Sequence, residues 1–576
     1  MIFLNFIKKN VLAIIMIFYF LIASSGIFFN FSLFNTTGDE APLLSATLKM
    51  ISDHSFRPNY PSFYHLGLGA YLYLPFFLIF LVWLRLSGLF GSAAALKQFG
   101  QIEFARFLPL GRFISVLTGL VSLYLLYKIC QKLFNSKRVS LLAVFFLSTS
   151  LLFVQVSHFA RIWPLQVMTI LLAFYFIADF YQADRPRLKH YLLCGLGVGL
   201  AFGTHVVGIF TYVSFLAAHY FKNNSEKLKK IVFNKYFWSA NFLFAMIYVL
   251  VYFLNTYGFT HYLGGLLPNT SKMLNLSETL SPLVNRPISE TAAGTSTFSQ
   301  SVIYYLVSLW QNEPLLWLTA FFGSIVMFFS RRKLFIIFYS FIIIYFLAVC
   351  SIGIKVSRYL LPLIPLLALL AAFGLNWLYE KTRYKKIIGT VIAAVCLLSL
   401  LPPLLWDYKF LLPSTRSEAA GWIYNNLPPS ASIMNFDNHL ELNENRQTLT
   451  DIKKYSSLFT KKRAYLLSSP DEVFPKPNYY IYTYLYYKEV PPDLREKKFD
   501  YAIISWVDKA NYNYWRDKSA KFNLSGKNFI LIKRFPAAAQ EDDIGMDLGD
   551  AIDNPLFNLP KLKQNGPIVD IYKIKY

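Results

Sequence analysis

The sequence contains 576 residues, of which 55% are hydrophobic and only 15% are charged, and its mean hydropathy is +0.41. Apolar runs of about 20 residues recur along it, which excludes an ordinary soluble protein and predicts many membrane-spanning helices. The formal net charge of +24 could suit a nucleic-acid partner. The lysines and arginines lie, however, in short loops between apolar runs, where membrane orientation and anionic headgroups account for them. We therefore expect membrane lipids as partners, and no nucleic acid.

Five basic loops set the predicted direction of the chain, because lysine and arginine are enriched on the cytoplasmic side of membrane proteins. Placing all five inside gives about eleven spans of membrane length, starting inside and ending outside. These spans are predicted at residues 11–30, 111–128, 139–157, 163–180, 191–204, 205–221, 236–254, 314–330, 334–351, 358–378 and 386–405. The predicted fold class is a polytopic α-helical membrane protein with a C-terminal soluble α/β domain.

One apolar run, residues 65–88, is long enough to cross the bilayer but is not counted as a crossing. Counting it would place the basic loop at residues 128–138 outside. We predict instead that it lies along the outer leaflet as an interfacial helix. Residues 31–110 then form one large external loop. Two short spans meet at Gly203-Thr204-His205, and a broken helix at membrane depth normally lines a cavity.

Residues 255–313 form a second predicted external loop, and its last part, residues 302–310, is expected to be another interfacial helix before Pro314 begins the next span. After Trp406 the composition becomes more polar. We therefore divide the chain into a transmembrane domain, residues 1–406, and an extracytoplasmic soluble domain, residues 407–576. Within the latter, strands are predicted at residues 479–486, 501–506 and 529–532 and a helix at residues 418–425.

The first external loop holds the most reactive residues, beginning with Asp39 and Glu40 directly after the first span. Carboxylates beside a span are costly in hydrocarbon and usually lie in a wet cavity where they have a task. Asp39 also precedes Ala41-Pro42, so a purely structural role as a helix cap is the alternative. A divalent metal site is a weaker hypothesis that no ligand spacing supports, and it would draw on Asp39, Asp53, His54 and His65.

Five short motifs follow one another along roughly the first 380 residues. They are Gly38-Asp39-Glu40-Ala41, Tyr60-Pro61, Gly111-Arg112 with Ser115, Ser157-His158-Phe159-Ala160-Arg161, and Ser357-Arg358-Tyr359-Leu360-Leu361-Pro362. In this order and topology they resemble the C-type membrane glycosyltransferases, which include protein O-mannosyltransferases and the lipid A aminoarabinose transferase. The chain departs from the pattern twice. Many relatives carry an acid where this chain has Trp163, and some carry a lysine near the position of His205.

The resemblance implies transfer of a sugar from a polyprenyl-phosphate donor to an acceptor, with inversion at the anomeric carbon. It implies an integral protein of the plasma (inner) membrane whose active site faces the periplasm or the exterior. Asp39 is then the general base that takes the proton of the acceptor hydroxyl, and Glu40 either orients the acceptor or holds the partner of Asp39. Tyr60 and His158 are candidate substrate-loop residues. The candidate ligands of the donor phosphate are Arg112, Arg161, Arg358 and His205.

Structural alternatives stand beside these roles. Arg112 and Arg358 lie at span ends, where arginine commonly reaches toward lipid headgroups, and His158 and His205 could be packed polar groups. The alternative function is a transporter or flippase of lipid-linked sugars. Such proteins usually need ionisable groups or paired broken helices near the midplane of the bilayer, arranged in an internal repeat. The sequence shows neither a repeat nor carboxylates inside the predicted spans. The sequence leaves open which sugar is transferred and whether the acceptor is a protein, a lipid or a glycan.

Overall fold

A computed structural model gives the fold of most of the chain. Contacts divide it into two units, one of Met1–Ile27, Pro42–Ile79 and Leu110–Leu404, the other of Phe28–Ala41, Phe80–Pro109 and Leu405–Tyr576. The structure describes residues 2–28, 40–55, 57–58, 67–90, 92, 95–96, 99, 104–223, 231–256, 298–351, 355–437, 439–456, 459–472, 474–484, 497–507, 512–515, 517, 529–538 and 555–576.

The part of the chain before residue 412 is helical, as its apolar runs predict. The helices are α1 Ile2–Ser25, α2 Glu40–Ser52, α3 Leu68–Leu86, α4 Leu108–Phe134, α5 Lys137–Ser148, α6 Leu151–Ser157, α7 Ile162–Gln182, α8 Leu188–Thr204, α9 Thr211–Asn223, α10 Lys235–Thr256, α11 Phe298–Asn312, α12 Pro314–Ser330, α13 Arg332–Ser351, α14 Ile364–Lys381 and α15 Lys385–Leu411. Three 3-10 turns, at Phe104–Phe107, Val206–Phe210 and Ser357–Leu363, precede α4, α9 and α14.

The number of spans differs from the prediction. Within the described ranges, six helices are long and apolar enough to cross a membrane, or eight if two bent pairs each count as one span. The figure of eleven is therefore not confirmed, mainly because several predicted spans are short or broken. The apolar run at residues 65–88 forms α3, which passes the length and composition test for a span. Its placement along the outer leaflet stays a prediction.

Two breaks matter for the site. The predicted span at residues 139–157 is α5 followed by α6, bent by 59° at Thr149-Ser150. The α11 helix, predicted as an interfacial segment, meets α12 at 111°. The predicted break at Gly203-Thr204-His205 is also present, since α8 ends at Thr204 and His205 begins a 3-10 turn. Polar side chains lie at each of these breaks.

Small residues let α8 pack closely against α10. A Cβ added at Gly195 would lie 2.3 Å from the Ala240 carbonyl oxygen, and one at Gly199 would lie 2.8 Å from Ile247 Cδ1. Both glycines, four residues apart, therefore face the same neighbour. This small-xxx-small spacing is typical of membrane helix pairs, because apolar tails give no hydrophobic drive for association and close van der Waals contact must supply it.

The C-terminal unit contains a mixed five-stranded sheet. Its strands are β1 Ser432–Asn435, β2 Tyr480–Thr483, β3 Tyr501–Trp506, β4 Phe529–Phe535 and β5 Ile568–Ile574, in the spatial order β2-β1-β3-β5-β4. The β1 strand pairs in parallel with β2 and β3, whereas β5 pairs antiparallel with β3 and β4. The α16 helix, Thr415–Asn426, packs its Ala419 and Ile423 into the core of this sheet. The predicted strands and helix are found here, while β1 and β5 were not predicted.

Candidate active site

Two buried arginines meet one aromatic ring at the predicted phosphate site. Arg112 lies in the second turn of α4 and Arg161 directly precedes α7, and their exposed fractions are 0% and 1%. Their guanidinium carbons lie 5.8 and 5.7 Å from the centroid of the Phe159 ring. A ring face attracts a guanidinium electrostatically. The structure thus brings together two predicted phosphate ligands that are 49 positions apart in the sequence.

Residues of neighbouring segments hold Arg112 and the start of α4 in place. Its Nη1 donates to the carbonyl oxygen of Ile27, at 3.0 Å. The Tyr73 hydroxyl donates to the Gly111 carbonyl oxygen at 3.3 Å. A Cβ on Gly111 would come within 2.8 Å of the Ala160 Cβ, so only glycine lets α4 approach the residue before Arg161 this closely. The Gly111-Arg112 pair is therefore a packing requirement as well as a source of charge.

The turn that carries Arg161 is fixed by the end of α6. The Ser157 hydroxyl accepts from the Tyr19 hydroxyl at 2.7 Å and donates to the Phe153 carbonyl oxygen at 2.6 Å. His158, fully buried, donates from Nδ1 to the Val154 carbonyl oxygen at 2.8 Å, which places the proton of a neutral ring on Nδ1. This bond ties the His158 ring to α6, so the residue contributes to the shape of the turn.

A second cluster surrounds Trp163, at the start of α7. Its ring centroid lies 5.0 Å from that of His205 and 5.4 Å from that of Tyr359. The Nδ1 atom of His205 accepts from the Val207 amide at 3.3 Å, so a neutral ring carries its proton on Nε2. The Tyr345 hydroxyl donates to the Tyr359 carbonyl oxygen at 2.5 Å. At the position where many relatives have an acid, this chain therefore packs an aromatic side chain.

The remaining predicted site residues divide between described and undescribed parts of the chain. Arg358 lies in the 3-10 turn Ser357–Leu363, next to Tyr359, and is 9% exposed. Glu40 is the first residue of α2 and is buried. Asp39 and Tyr60 lie outside the described residues, so the structure gives no geometry for the proposed base. Among the described residues, no group of three or more His, Cys, Asp or Glu side chains is arranged to hold a metal ion.

One buried acid was missed by the sequence analysis. Glu313, between α11 and α12, is 7% exposed and accepts hydrogen bonds from Ser150 and Leu152, more than 160 positions earlier. The sequence does contain a feature that could have identified Glu313. It is a single carboxylate between two apolar segments, directly before Pro314, which begins a predicted span. Phe159 belongs to the motif that ends at Arg161, but nothing in the sequence indicated that both Arg112 and Arg161 lie near its ring.

Sequence comparison finds one family match. Residues 104–254 match the family described as dolichyl-phosphate-mannose-protein mannosyltransferase. This segment contains Arg112, Phe159, Arg161 and His205, but not Asp39 or Arg358. A sequence search among curated proteins finds no match.

Comparison with solved structures finds distant likenesses. The oligosaccharyltransferase AglB from Archaeoglobus fulgidus, in complex with an inhibitory peptide and a dolichol-phosphate, is 14% identical with a TM-score of 0.46. It is matched over 73% of this chain, which spans only 59% of AglB. ArnT from Cupriavidus metallidurans, bound to undecaprenyl phosphate, is 11% identical with a TM-score of 0.46 over 98% of both chains.

The arabinofuranosyltransferase AftD from Mycobacteria is 12% identical with a TM-score of 0.39, over 99% of this chain and 40% of AftD. Likenesses this distant assign no role to any residue. The family match over residues 104–254 confirms the resemblance to protein O-mannosyltransferases that the sequence motifs indicated.

Proposed function

We propose that this protein is a membrane glycosyltransferase that moves a sugar from a polyprenyl-phosphate donor to an acceptor hydroxyl on the outer face of the membrane. The observation that carries the proposal is the meeting of Arg112 and Arg161 at the Phe159 ring, within the segment that matches the mannosyltransferase family. Polyprenyl-phosphate sugars are the donors of the resembling family. The AglB structure contains a dolichol-phosphate, and the ArnT structure contains undecaprenyl phosphate.

The two arginines suit a phosphate that leaves with the electron pair of the broken bond. Guanidinium groups present planar, bidentate donors to phosphate oxygens, and they stay charged at any physiological pH. Because both side chains are buried, their attraction for an anion is weakened less by water and salt than that of surface lysines. We assign Arg112 and Arg161 to the lipid phosphate, with Arg358 and His205 as further ligands.

The chemical step needs a base, because an acceptor hydroxyl is a poor nucleophile. In the proposed reaction the carboxylate of Asp39 takes the hydroxyl proton as the acceptor oxygen bonds to the anomeric carbon. The bond from that carbon to the phosphate oxygen breaks at the same time, and polyprenyl phosphate leaves with the electron pair. Attack from the opposite face inverts the anomeric centre. Glu40, one residue later at the start of α2, orients the acceptor.

Trp163 supports a mechanism that relies on one loop carboxylate. Its side chain, packed between His205 and Tyr359, occupies the position where many members of the resembling family have a second acid. A tryptophan cannot accept a proton, so this position cannot supply a base. The sugar and the class of acceptor, whether protein, lipid or glycan, are left to experiment.

The decisive experiment uses purified protein in liposomes with radiolabelled mannosyl phosphates of dolichol and undecaprenol. We expect label to move to an acceptor fraction, or to water as slow hydrolysis, with release of polyprenyl phosphate in equal amount. GDP-mannose is the matched control and should give no transfer, because it lacks the lipid phosphate. Movement of labelled lipid between leaflets without release of polyprenyl phosphate would instead support the flippase alternative.

The orientation is tested separately. Single cysteines placed at Lys97, in the first predicted external loop, and at Lys137, in a predicted cytoplasmic loop, are exposed to a membrane-impermeant thiol reagent in intact cells. We expect labelling at position 97 and protection at position 137, because basic loops stay inside. The reverse pattern would place the proposed site on the cytoplasmic face.

A further inference from the structure

The corner between α11 and α12 has one buried carboxylate whose role the proposed reaction does not use. Glu313 is the N-terminal cap residue of α12, with φ −133° and ψ 50°, but its side chain makes no capping bond to that helix. Its backbone is hydrogen bonded to both helices. The Glu313 amide donates to the Leu309 carbonyl oxygen in α11, and the Trp317 amide in α12 donates to the Glu313 carbonyl oxygen. The side chain is therefore directed to another element.

That element is α6. The Ser150 hydroxyl donates to Glu313 Oε1 at 2.6 Å, and the Leu152 amide donates to the same oxygen at 2.9 Å. Ser150 in turn caps α6, because its Oγ accepts from the Phe153 amide at 3.3 Å. The first amides of a helix have no partner within the helix, and a carboxylate there also interacts favourably with the helix dipole. Glu313 thus holds the amino end of α6.

The carboxyl end of α6 leads straight into the arginine turn. All seven residues of α6 are buried, so the helix, about 10 Å long at 1.5 Å per residue, has little freedom to shift. It ends at Ser157, bonded to Tyr19, and is followed at once by His158, Phe159 and Arg161. A displacement at Glu313 would therefore be passed to the ring that both Arg112 and Arg161 contact.

The α11 helix also connects to the second cluster. Tyr305, fully buried on α11, hydrogen bonds the backbone of Val356, which precedes the turn carrying Arg358. The α11 helix is thus connected to both clusters. Glu313, at its end, bonds to α6, which precedes Arg161, and Tyr305 bonds to Val356, which precedes Arg358.

We propose that Glu313 is a positioning residue for the lipid-phosphate site: its carboxylate anchors α6 and thereby fixes the turn from His158 to Arg161. This inference rests on the proposed function. A carboxyl group suits the task because one of its oxygens can accept from both the Ser150 hydroxyl and the Leu152 amide.

The test compares Glu313→Ala, Glu313→Gln and Ser150→Ala in the full-length protein. Glu313→Ala should raise the donor KM or lower kcat by about tenfold in total, the effect expected for losing one or two ordinary hydrogen bonds. Glu313→Gln keeps an acceptor oxygen at the same reach, so it should recover most of that loss. The double variant Ser150→Ala/Glu313→Ala should be no worse than the poorer single variant, because both changes break the same anchor.

Asp179→Asn is the matched control. It removes the Lys132–Asp179 ion pair, 2.5 Å long, which joins α4 and α7 far along α7 from Arg161. Its thermal stability should fall without a change in donor KM. If Glu313→Ala also loses only stability and keeps wild-type KM and kcat, the positioning role is wrong.

Binding of radiolabelled undecaprenyl phosphate separates the two proposals. Weaker binding by Glu313→Ala than by Asp179→Asn supports the anchor even if wild-type protein transfers no sugar and the proposed function fails. Equal binding by both variants overturns the anchor while leaving the proposed function standing. Failure of the wild-type protein to bind the lipid overturns both.

Discussion

The arginines of the two units make different kinds of contact. In the C-terminal unit, Arg416 donates to both oxygens of Asp437, at 2.6 and 3.3 Å, and Arg534 donates to both oxygens of Asp570, at 2.7 and 2.9 Å. In the helical unit, Arg112 donates to the Ile27 carbonyl oxygen, and the guanidinium groups of Arg112 and Arg161 both lie near the Phe159 ring. The C-terminal pairs each join one arginine to one carboxylate, whereas two arginines meet at a single ring in the helical unit.

These contacts indicate different roles for the arginines. A bidentate pair such as Arg416–Asp437 is a fixed cross-link between α16 and the end of β1, and burial opposes ionisation of Asp437 while Arg416 and His439 hold its pKa below the usual range. We interpret Arg112 and Arg161, which meet at one aromatic ring, as the candidate ligands of an anion.

The largest effect is expected at the proposed base. Asp39→Asn keeps the size and most of the helix-capping ability of aspartate but cannot accept a proton, so kcat should fall by about 10²–10⁴-fold. Thermal stability should stay close to that of the wild type. Glu40→Gln, which alters only orientation in this scheme, should lose less. Steady-state kinetics on purified protein decide the matter, and the reverse order of the two variants would mean that their roles are exchanged.

In the C-terminal unit we expect loss of stability instead. Arg416→Ala leaves Asp437 buried without its bidentate partner, and breaking a buried pair in this way costs about 3–5 kcal/mol. Hydrogen exchange at the amides of β1 should become much faster in the full-length protein. Asp471→Ala is the control, because Asp471 is exposed in its pair with Arg446 and such surface pairs contribute at most about 1 kcal/mol. Equal effects in both variants would contradict the structural role of the buried pair.

Arg161→Ala should act on the donor rather than on the fold. We expect donor binding to weaken by about 2–3 kcal/mol, the cost of losing a charge-assisted contact, with partial recovery in Arg161→Lys. Arg332→Ala is a matched control, since the Arg332 guanidinium also lies over a ring, that of Phe328, at 5.8 Å. If Arg161→Ala binds undecaprenyl phosphate as well as the wild type does, or if Arg332→Ala loses as much binding, the assignment of Arg161 to the lipid phosphate is wrong.

The smallest effect concerns pH in the C-terminal unit. Burial raises the pKa of Glu441 to about 7, against the opposing pull of Lys462 and Arg463. The folded state therefore binds more protons than the unfolded state, and the stability of this unit should fall as pH rises from about 4.5 through about 7. Glu441→Gln should flatten that dependence, measured as the pH profile of hydrogen exchange at β1 relative to wild type. The same flattening in the exposed control Glu472→Gln would refute the assignment to Glu441.

Prediction from sequence succeeded best where structure is local. Helices such as α12, at Pro314–Ser330, coincide with the predicted span, because a continuous apolar run needs no partner to be recognised. Strands β1 and β5 were missed for the opposite reason. The β1 strand has only four residues, and β5 carries Asp570 at its centre, a residue that suits a buried strand only because Arg534, Trp506 and Tyr572 donate to it.

The candidate site shows the same division. The helical class and the order of the motifs can be recognised in the sequence, because apolar runs and motif order are local features of the chain. The choice of Arg112, Arg161, Arg358 and His205 as phosphate ligands also comes from the sequence, and it stays a prediction. Only the tertiary structure decided that Arg112 and Arg161 share the ring of Phe159 and that Trp163 packs between His205 and Tyr359. Only it decided that Glu313 bonds to Ser150. These contacts join residues far apart in the chain, and they depend on where bends and close helix packing bring the helices together, which no local pattern specifies.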